Sequence, residues 1–186
     1  SRASRSLRSL CRCGSTVGRM KHRTLMLSFF FIIAAVVCID QATKVWIMDH
    51  FALFESQMII PDLFNLTYLT NNGAAFSILA GQPALWRQIF FVGAACAALV
   101  FIWIAQRSFG RRSGVYSVAL ALIAGGAIGN LIDRIRLGFV VDFLDFYIGR
   151  HHWPAFNIAD SAITIGVTLF ILKNLLFDRQ QPDQVS

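Results

Sequence analysis

Two aspartates lie inside runs of apolar sequence. Asp142 sits within Val140-Val141-Asp142-Phe143, and Asp160 within Phe156-Asn157-Ile158-Ala159-Asp160-Ser161. Each adjoins a stretch apolar enough to enter a membrane. A carboxylate there costs about 2.5–3.5 kcal/mol on insertion scales, so its default reading is a working residue. Two converging carboxylates share a proton, because neighbouring like charges cannot both ionise easily. The ionised member of such a pair takes a proton from water, and the protonated member polarises a carbonyl. The chemistry this points to is a shared proton and an activated water.

Other polar residues recur at helical spacing. Asp40 and Lys44 are i, i+4, as are Asn130 and Arg134, and Asp160 and Thr164. Asn130 and Asp133 are i, i+3, as are Asn157 and Asp160. Each pair lies on one helix face and, in lipid, needs partners from inside the bundle. Counting 1.5 Å per residue along each apolar stretch places all of them near one membrane surface. Plainer readings stand beside this one. Asp40 with Lys44 makes a local ion pair, and Asn130, Asp133 and Arg134 make a structural tie between helices. Asp145 reads as a solvated loop residue. His151 and His152 read as interfacial loop residues, since adjacent histidines point apart and no His-Glu-x-x-His pattern accompanies them. Gly125, Gly126 and Gly129 fall mid-span, where glycines mark close helix packing rather than a phosphate loop.

Four apolar stretches position these residues, at about 25–48, 84–106, 114–132 and 154–177. Each is long enough for a spanning helix. With 56% hydrophobic and 15% charged residues, the composition is not that of an ordinary soluble domain. The expected class is an all-α membrane protein of four transmembrane helices with a small extracytoplasmic β segment. That segment is read from the alternation of Phe64, Leu66 and Tyr68 with polar neighbours, followed by the turn Asn71-Asn72-Gly73. Gly81-Gln82-Pro83 is expected to end it, and Pro154 to begin the fourth helix. Trp46, Trp86 and Trp153 suit an aromatic belt.

The net charge of +7 comes from the first 23 residues, which hold seven basic groups and no acid; the rest balances at ten of each sign. A nucleic-acid partner is therefore not implied. Residues 1–22 are expected to be a basic extension, disordered or added ahead of the protein's own start, with Met20 as the candidate start. Residues 23–178 form one domain and 179–186 a cytoplasmic tail. The first span is too long for a cleaved signal peptide and reads as an anchor. Lys and Arg cluster before the first span, between the second and third, and after the fourth, so both termini are expected to be cytoplasmic. Cys38 and Cys96 fall inside spans and imply no disulfide framework.

Five motifs appear in order: Asp40-Gln41-Ala42-Thr43-Lys44, Asn71-Asn72-Gly73-Ala74-Ala75-Phe76, Gly125 to Arg134, Val140 to Phe143, and Phe156 to Ser161. Together they resemble the bacterial lipoprotein signal peptidases (signal peptidase II, prolipoprotein signal peptidase), over about Arg23 to Phe177. The resemblance implies an aspartic-type endopeptidase of the bacterial inner membrane. Its substrate would be a prolipoprotein whose cysteine carries a diacylglyceryl group, and it would use neither cofactor nor metal. It implies Asp142 and Asp160 as catalytic dyad; a monomer is expected. Asn71 and Arg134 would hold the substrate backbone, and Asp40, Lys44, Gly73, Asn130, Asp133 and Asn157 would support the site. The His151 region would match a flexible loop over the site, and the antibiotic globomycin would occupy the pocket. The rival readings are a proton-coupled transporter, a metalloprotease using His151 and His152, and a structural scaffold. A transporter site belongs near the midplane with repeat symmetry, and neither feature is present in the sequence.

Overall fold

The computed structural model describes residues 3–73, 84–110 and 112–178, with side chains from Thr24 onward, Ala84, Phe177 and Asp178 excepted. Ala74, Ala75 and Phe76 of the second motif, the Gly81-Gln82-Pro83 segment and the 179–186 tail lie outside the described residues.

Four helices form the body: α1 (Ala3–His50), α2 (Ala84–Ser108), α3 (Gly114–Arg136) and α4 (Ile158–Lys173), the last followed by a π-helical turn over Asn174–Asp178. The backbone of the basic extension is helical from Ala3 onward as the start of α1. Within these helices, Thr24–His50, Leu85–Ser108, Gly114–Arg136 and Ile158–Leu176 are long and apolar enough to cross a membrane. Helix α3 is the central one. In its most apolar window 56% of residues are buried, against 11–17% in the other three. It packs on α1, α2 and α4, while the outer helices turn residues such as Phe31, Trp86, Phe101 and Ile165 outward. A helix apolar on every side with its outer face uncovered is suited to lipid.

Glycine lets α1, α3 and α4 meet. A Cβ at Gly126 would run into the carbonyl oxygen of Ala159 on α4, and one at Gly129 would come within 2.6 Å of Asp40 Oδ2 on α1. The glycine run is thus a packing surface, as expected from its mid-span position.

Four antiparallel strands lie in the order β1 (Ser56–Ile60), β2 (Phe64–Asn71), β3 (Val140–Ile148) and β4 (His151–His152). The predicted strand over Phe64 to Leu69 is β2. Strand β3 was not anticipated, although Val140, Val141, Phe143, Phe146, Tyr147 and Ile148 carry a strong β preference. Its pairing with β2, Asn71 opposite Val140 and Leu69 opposite Asp142, joins the two connections into one sheet. Ile148 faces His151 across the two-residue loop Gly149-Arg150, and Gly149 at φ +60° takes the position that needs a positive φ. The His151 region is therefore a short paired strand rather than a loop.

The start of the fourth helix also differs from expectation. It begins at Ile158, with Asn157 as N-cap, and not at Pro154. The backbone of Phe156 is taken by the sheet instead. Its carbonyl accepts from Phe143 N at 3.0 Å and Leu144 N at 2.9 Å, and its N–H donates to Leu144 O at 3.1 Å. Asp160 therefore lies in the first helical turn.

Two apolar clusters flank the polar residues. One gathers Phe29, Ile102, Ala105, Leu120, Ala121 and Ala124; the other gathers Ile47, Phe51, Val141 and Phe143 where the helices meet the sheet. Asp40 and Lys44 fall between Phe29 and Ile47 on α1, so the charged residues sit between two packed layers.

Candidate active site

Strand β3 and the first turn of α4 carry the two aspartates. Asn157 links them. As N-cap, its Oδ1 accepts from the backbone N–H of Asp160 at 3.0 Å. Its Nδ2 donates to Asp142 Oδ1 at 2.7 Å and also reaches Val141 O at 3.2 Å and Asn130 Oδ1 at 3.3 Å. Asn157 is wholly buried. One amide group thus fixes the backbone of one aspartate and the side chain of the other.

Each carboxylate has a second amide. Asn130 Nδ2 on α3 donates to Asp160 Oδ1 at 2.7 Å. Asn71 Nδ2 at the end of β2 donates to Asp142 Oδ2 at 3.0 Å, while its Oδ1 accepts from Gly73 N at 3.1 Å and closes the turn. The predicted turn Asn71-Asn72-Gly73 therefore delivers a donor to Asp142. Burial is the main reason the carboxyl pKa of Asp142 is pushed up to about 7, and the charge of Asp160 adds to it; bonds from Asn71 and Asn157 and the charge of Lys44 pull the other way. Such a group keeps its proton toward neutral pH, which a general acid requires.

A third layer holds the amides. Lys44 Nζ on α1 contacts Asp40 Oδ2 at 2.9 Å, Asp133 Oδ2 at 2.8 Å and Asn130 Oδ1 at 2.9 Å. The reading of Asp40 and Lys44 as a local interfacial pair is corrected by this burial, with exposures of 0% and 1%. A charge in that position must be paired, and this one has two carboxylates. Gln41, whose type and spacing do not mark it as a site residue, donates to Asp133 Oδ1 at 2.8 Å and lies 3.2 Å from Asp40 Oδ2 and from Gly129 O. Its position beside Asp40 was the only available signal.

Arg134 lies on the open side. Its guanidinium sits 5.0 Å from the ring centre of Phe91 on α2 and reaches Asn130 O at 3.4 Å. With Asn71, Gly73, Asp160, Ser161 and Trp153 it lines a cleft of about 620 Å³. Asp160 fronts this cleft, whereas Asp142 is only 3% exposed.

Asp145 departs from its expected role as a solvated residue. It is buried on β3, where it accepts from Asn65 Nδ2 at 3.0 Å and has His152 Nδ1 at 2.9 Å. Strand pairing turns the side chain of Asp145 toward its neighbour on β2, which a loop reading could not foresee.

Thus all ten predicted site residues fall in one connected region beneath the sheet. A buried carboxylate and a half-buried one, joined by a shared amide beside an open, partly polar cleft in a four-span membrane protein, suit a membrane enzyme. Two solved bacterial membrane enzymes share the fold. One, determined by the in meso method at 2.3 Å, has a TM-score of 0.74 and 36% identity, covering 86% of this chain and 94% of its own. The other, determined at 1.9 Å, has a TM-score of 0.71 and 38% identity, covering 81% and 94%.

The family described as Signal peptidase (SPase) II matches residues 32–176, and the chain belongs to that family of membrane proteases. The lipoprotein signal peptidase of Syntrophus aciditrophicus is 46% identical over 153 residues, covering 81% of this chain and 93% of its own. That of Desulforapulum autotrophicum is 48% identical over 137 residues, covering 73% and 84%.

Proposed function

We propose that this protein is an aspartic-type endopeptidase that removes signal peptides from diacylglyceryl-modified prolipoproteins, with Asp142 and Asp160 as its dyad. The observation that carries the proposal is Asn157, bonded both to the Asp142 carboxylate and to the Asp160 backbone. A network that ties two acids together beside a cleft supports shared-proton chemistry. Asp142, buried and facing the charge of Asp160, keeps its proton up to about neutral pH, as one member of such a pair must.

In the first step the ionised carboxylate takes a proton from water, and the water oxygen bonds to the scissile carbonyl carbon. The protonated carboxyl donates to the carbonyl oxygen as that bond forms. Collapse of the tetrahedral adduct breaks the C–N bond, and a proton passes to the departing amine. Arg134 and Asn71, at the cleft wall, hold the peptide backbone. Asp40, Lys44, Gly73, Asn130, Asp133 and Asn157 hold the machinery. Neither a metal nor a cofactor takes part.

The location suits the substrate. A diacylglyceryl cysteine is held by its acyl chains in one leaflet, so the bond before it lies near the interface. A dyad at the junction of helix ends and sheet meets that bond without drawing it to the midplane. The basic clusters at 2–23 and 107–112 support a topology with both termini in the cytoplasm and the sheet on the outer face of a bacterial inner membrane. The protein acts as a monomer on a lipid-anchored partner, with no nucleic-acid role, and globomycin occupies the cleft. Cleavage of a diacylglyceryl prolipoprotein peptide by the purified protein, blocked by globomycin, tests this reading. Full activity in folded Asp142→Asn or Asp160→Asn protein rejects it.

A further inference from the structure

The buried ammonium of Lys44 has three N–H groups and three acceptors: Asp40, Asp133 and Asn130. Gln41 bridges its two carboxylate partners, and the bonds these accept from the backbone follow a pattern. Asp40 Oδ1 accepts from the backbone N–H of Ala159 at 2.9 Å, the residue before Asp160. Asp133 Oδ2 accepts from the backbone N–H of Val141 at 3.2 Å, the residue before Asp142. The third acceptor, Asn130, donates through its own Nδ2 to Asp160.

One cation therefore organises two backbone grips, each adjacent in sequence to one aspartate, on elements from different parts of the chain. Ala159 lies in the first turn of α4, where a helix supplies no acceptor of its own. The ammonium also sets which way the Asn130 amide faces. Reversed, its NH₂ would meet Lys44 donor to donor and its oxygen would meet the Asp160 carboxylate.

We propose that Lys44, Asp40 and Asp133 are positioning residues that set the separation and facing of the two aspartates, by clamping the backbone ahead of each. This rests on the dyad reading given above. None of the three touches substrate; they act through Ala159, Val141 and Asn130.

The test uses Asp40→Asn and Asp133→Asn, purified in detergent, with kcat and KM measured per folded molecule. Asparagine keeps an oxygen for the backbone N–H but weakens the hold of the ammonium. Each variant is expected to lose about tenfold or more in kcat with KM within about threefold, since small displacements of reacting groups cost about 100-fold. The double variant is expected to lose less than the product of the two, because both act through one ammonium. Wild-type kcat in both folded single variants, or losses confined to KM, would overturn the proposal. Hydrogen exchange on the wild-type protein supplies a check that needs no variant. The Ala159 amide is expected to be strongly protected, and fast exchange there removes the clamp. Asp142→Asn and Asp160→Asn run alongside separate the two ideas. If these are inactive while the clamp variants keep full kcat, only the clamp fails. If either is fully active, the dyad itself fails.

Discussion

Two concavities of similar size lie at different places in this bundle. The cleft beside Asp160, about 620 Å³, is edged by Asn71, Arg134 and Ser161. The groove between α2, α3 and α4, about 450 Å³, is lined only by apolar residues, among them Phe101, Phe109, Leu120 and Phe170. Size does not separate them; polar convergence does. Around the cleft, amides and charges from all four helices and the sheet are bonded to one another. Around the groove, Phe109, Tyr116 and Phe170 pack ring on ring, with centroids 5.0–5.6 Å apart. The first arrangement spends stability on oriented, desolvated groups, and the second gains stability from packing.

The comparison can be broken most directly at the acids. Asp142→Asn and Asp160→Asn are each expected to lower kcat at least about 10³-fold in a peptide-cleavage assay, within the span of general acid–base effects. Next is the linking amide. Asn157→Ala removes the cap and both ties, and is expected to cost about 1–3 kcal/mol of stability in a detergent melt, with a kcat loss near 100-fold. Gly126→Ala should act at similar strength, by driving a methyl into the Ala159 carbonyl and separating α3 from α4.

The pH dependence sharpens the contrast further. Activity should fall as pH rises through about 7, where Asp142 loses its proton. A carboxyl whose pKa is raised on folding adds stability below its unfolded pKa and loses it as pH climbs through the folded value. Asp142→Asn should therefore melt higher than wild type above pH 7, and the difference should vanish near pH 4. Asn71→Ala removes a bond that favours the ionised form, so its basic limb should move to higher pH. The smallest effect belongs to the groove: Ile171→Leu there should leave kcat within about twofold and stability within about 1.5 kcal/mol. A groove substitution that altered kcat as much as Asn157→Ala would erase the distinction between the two regions.

Much of the site was legible because hydrocarbon makes polar residues conspicuous. Asp40, Lys44, Asn130, Asp133, Asn157 and Asp160 stood out against apolar neighbours, and helical spacing gave their faces. Strand β3 was less legible, since nine residues rich in Val and Phe also resemble the end of a span. The burial of Asp145 is not legible locally, because its partners Asn65 and His152 depend on strand register. Pro154 suits a first helical turn, but the sheet takes the Phe156 backbone and delays α4 to Ile158.

The sequence by itself determined that there are four apolar helices, that acids are placed where acids are costly, and that glycines fall where helices must meet. Those follow from local composition and period, which lipid reads residue by residue. Only the tertiary structure decided that Lys44 stands among Asp40, Asp133 and Asn130, and that Asn157 joins β3 to α4. It also decided that the residues preceding both aspartates are gripped by buried carboxylates. These are contacts between elements up to 119 positions apart, from Asp40 to Ala159, and no local period encodes them.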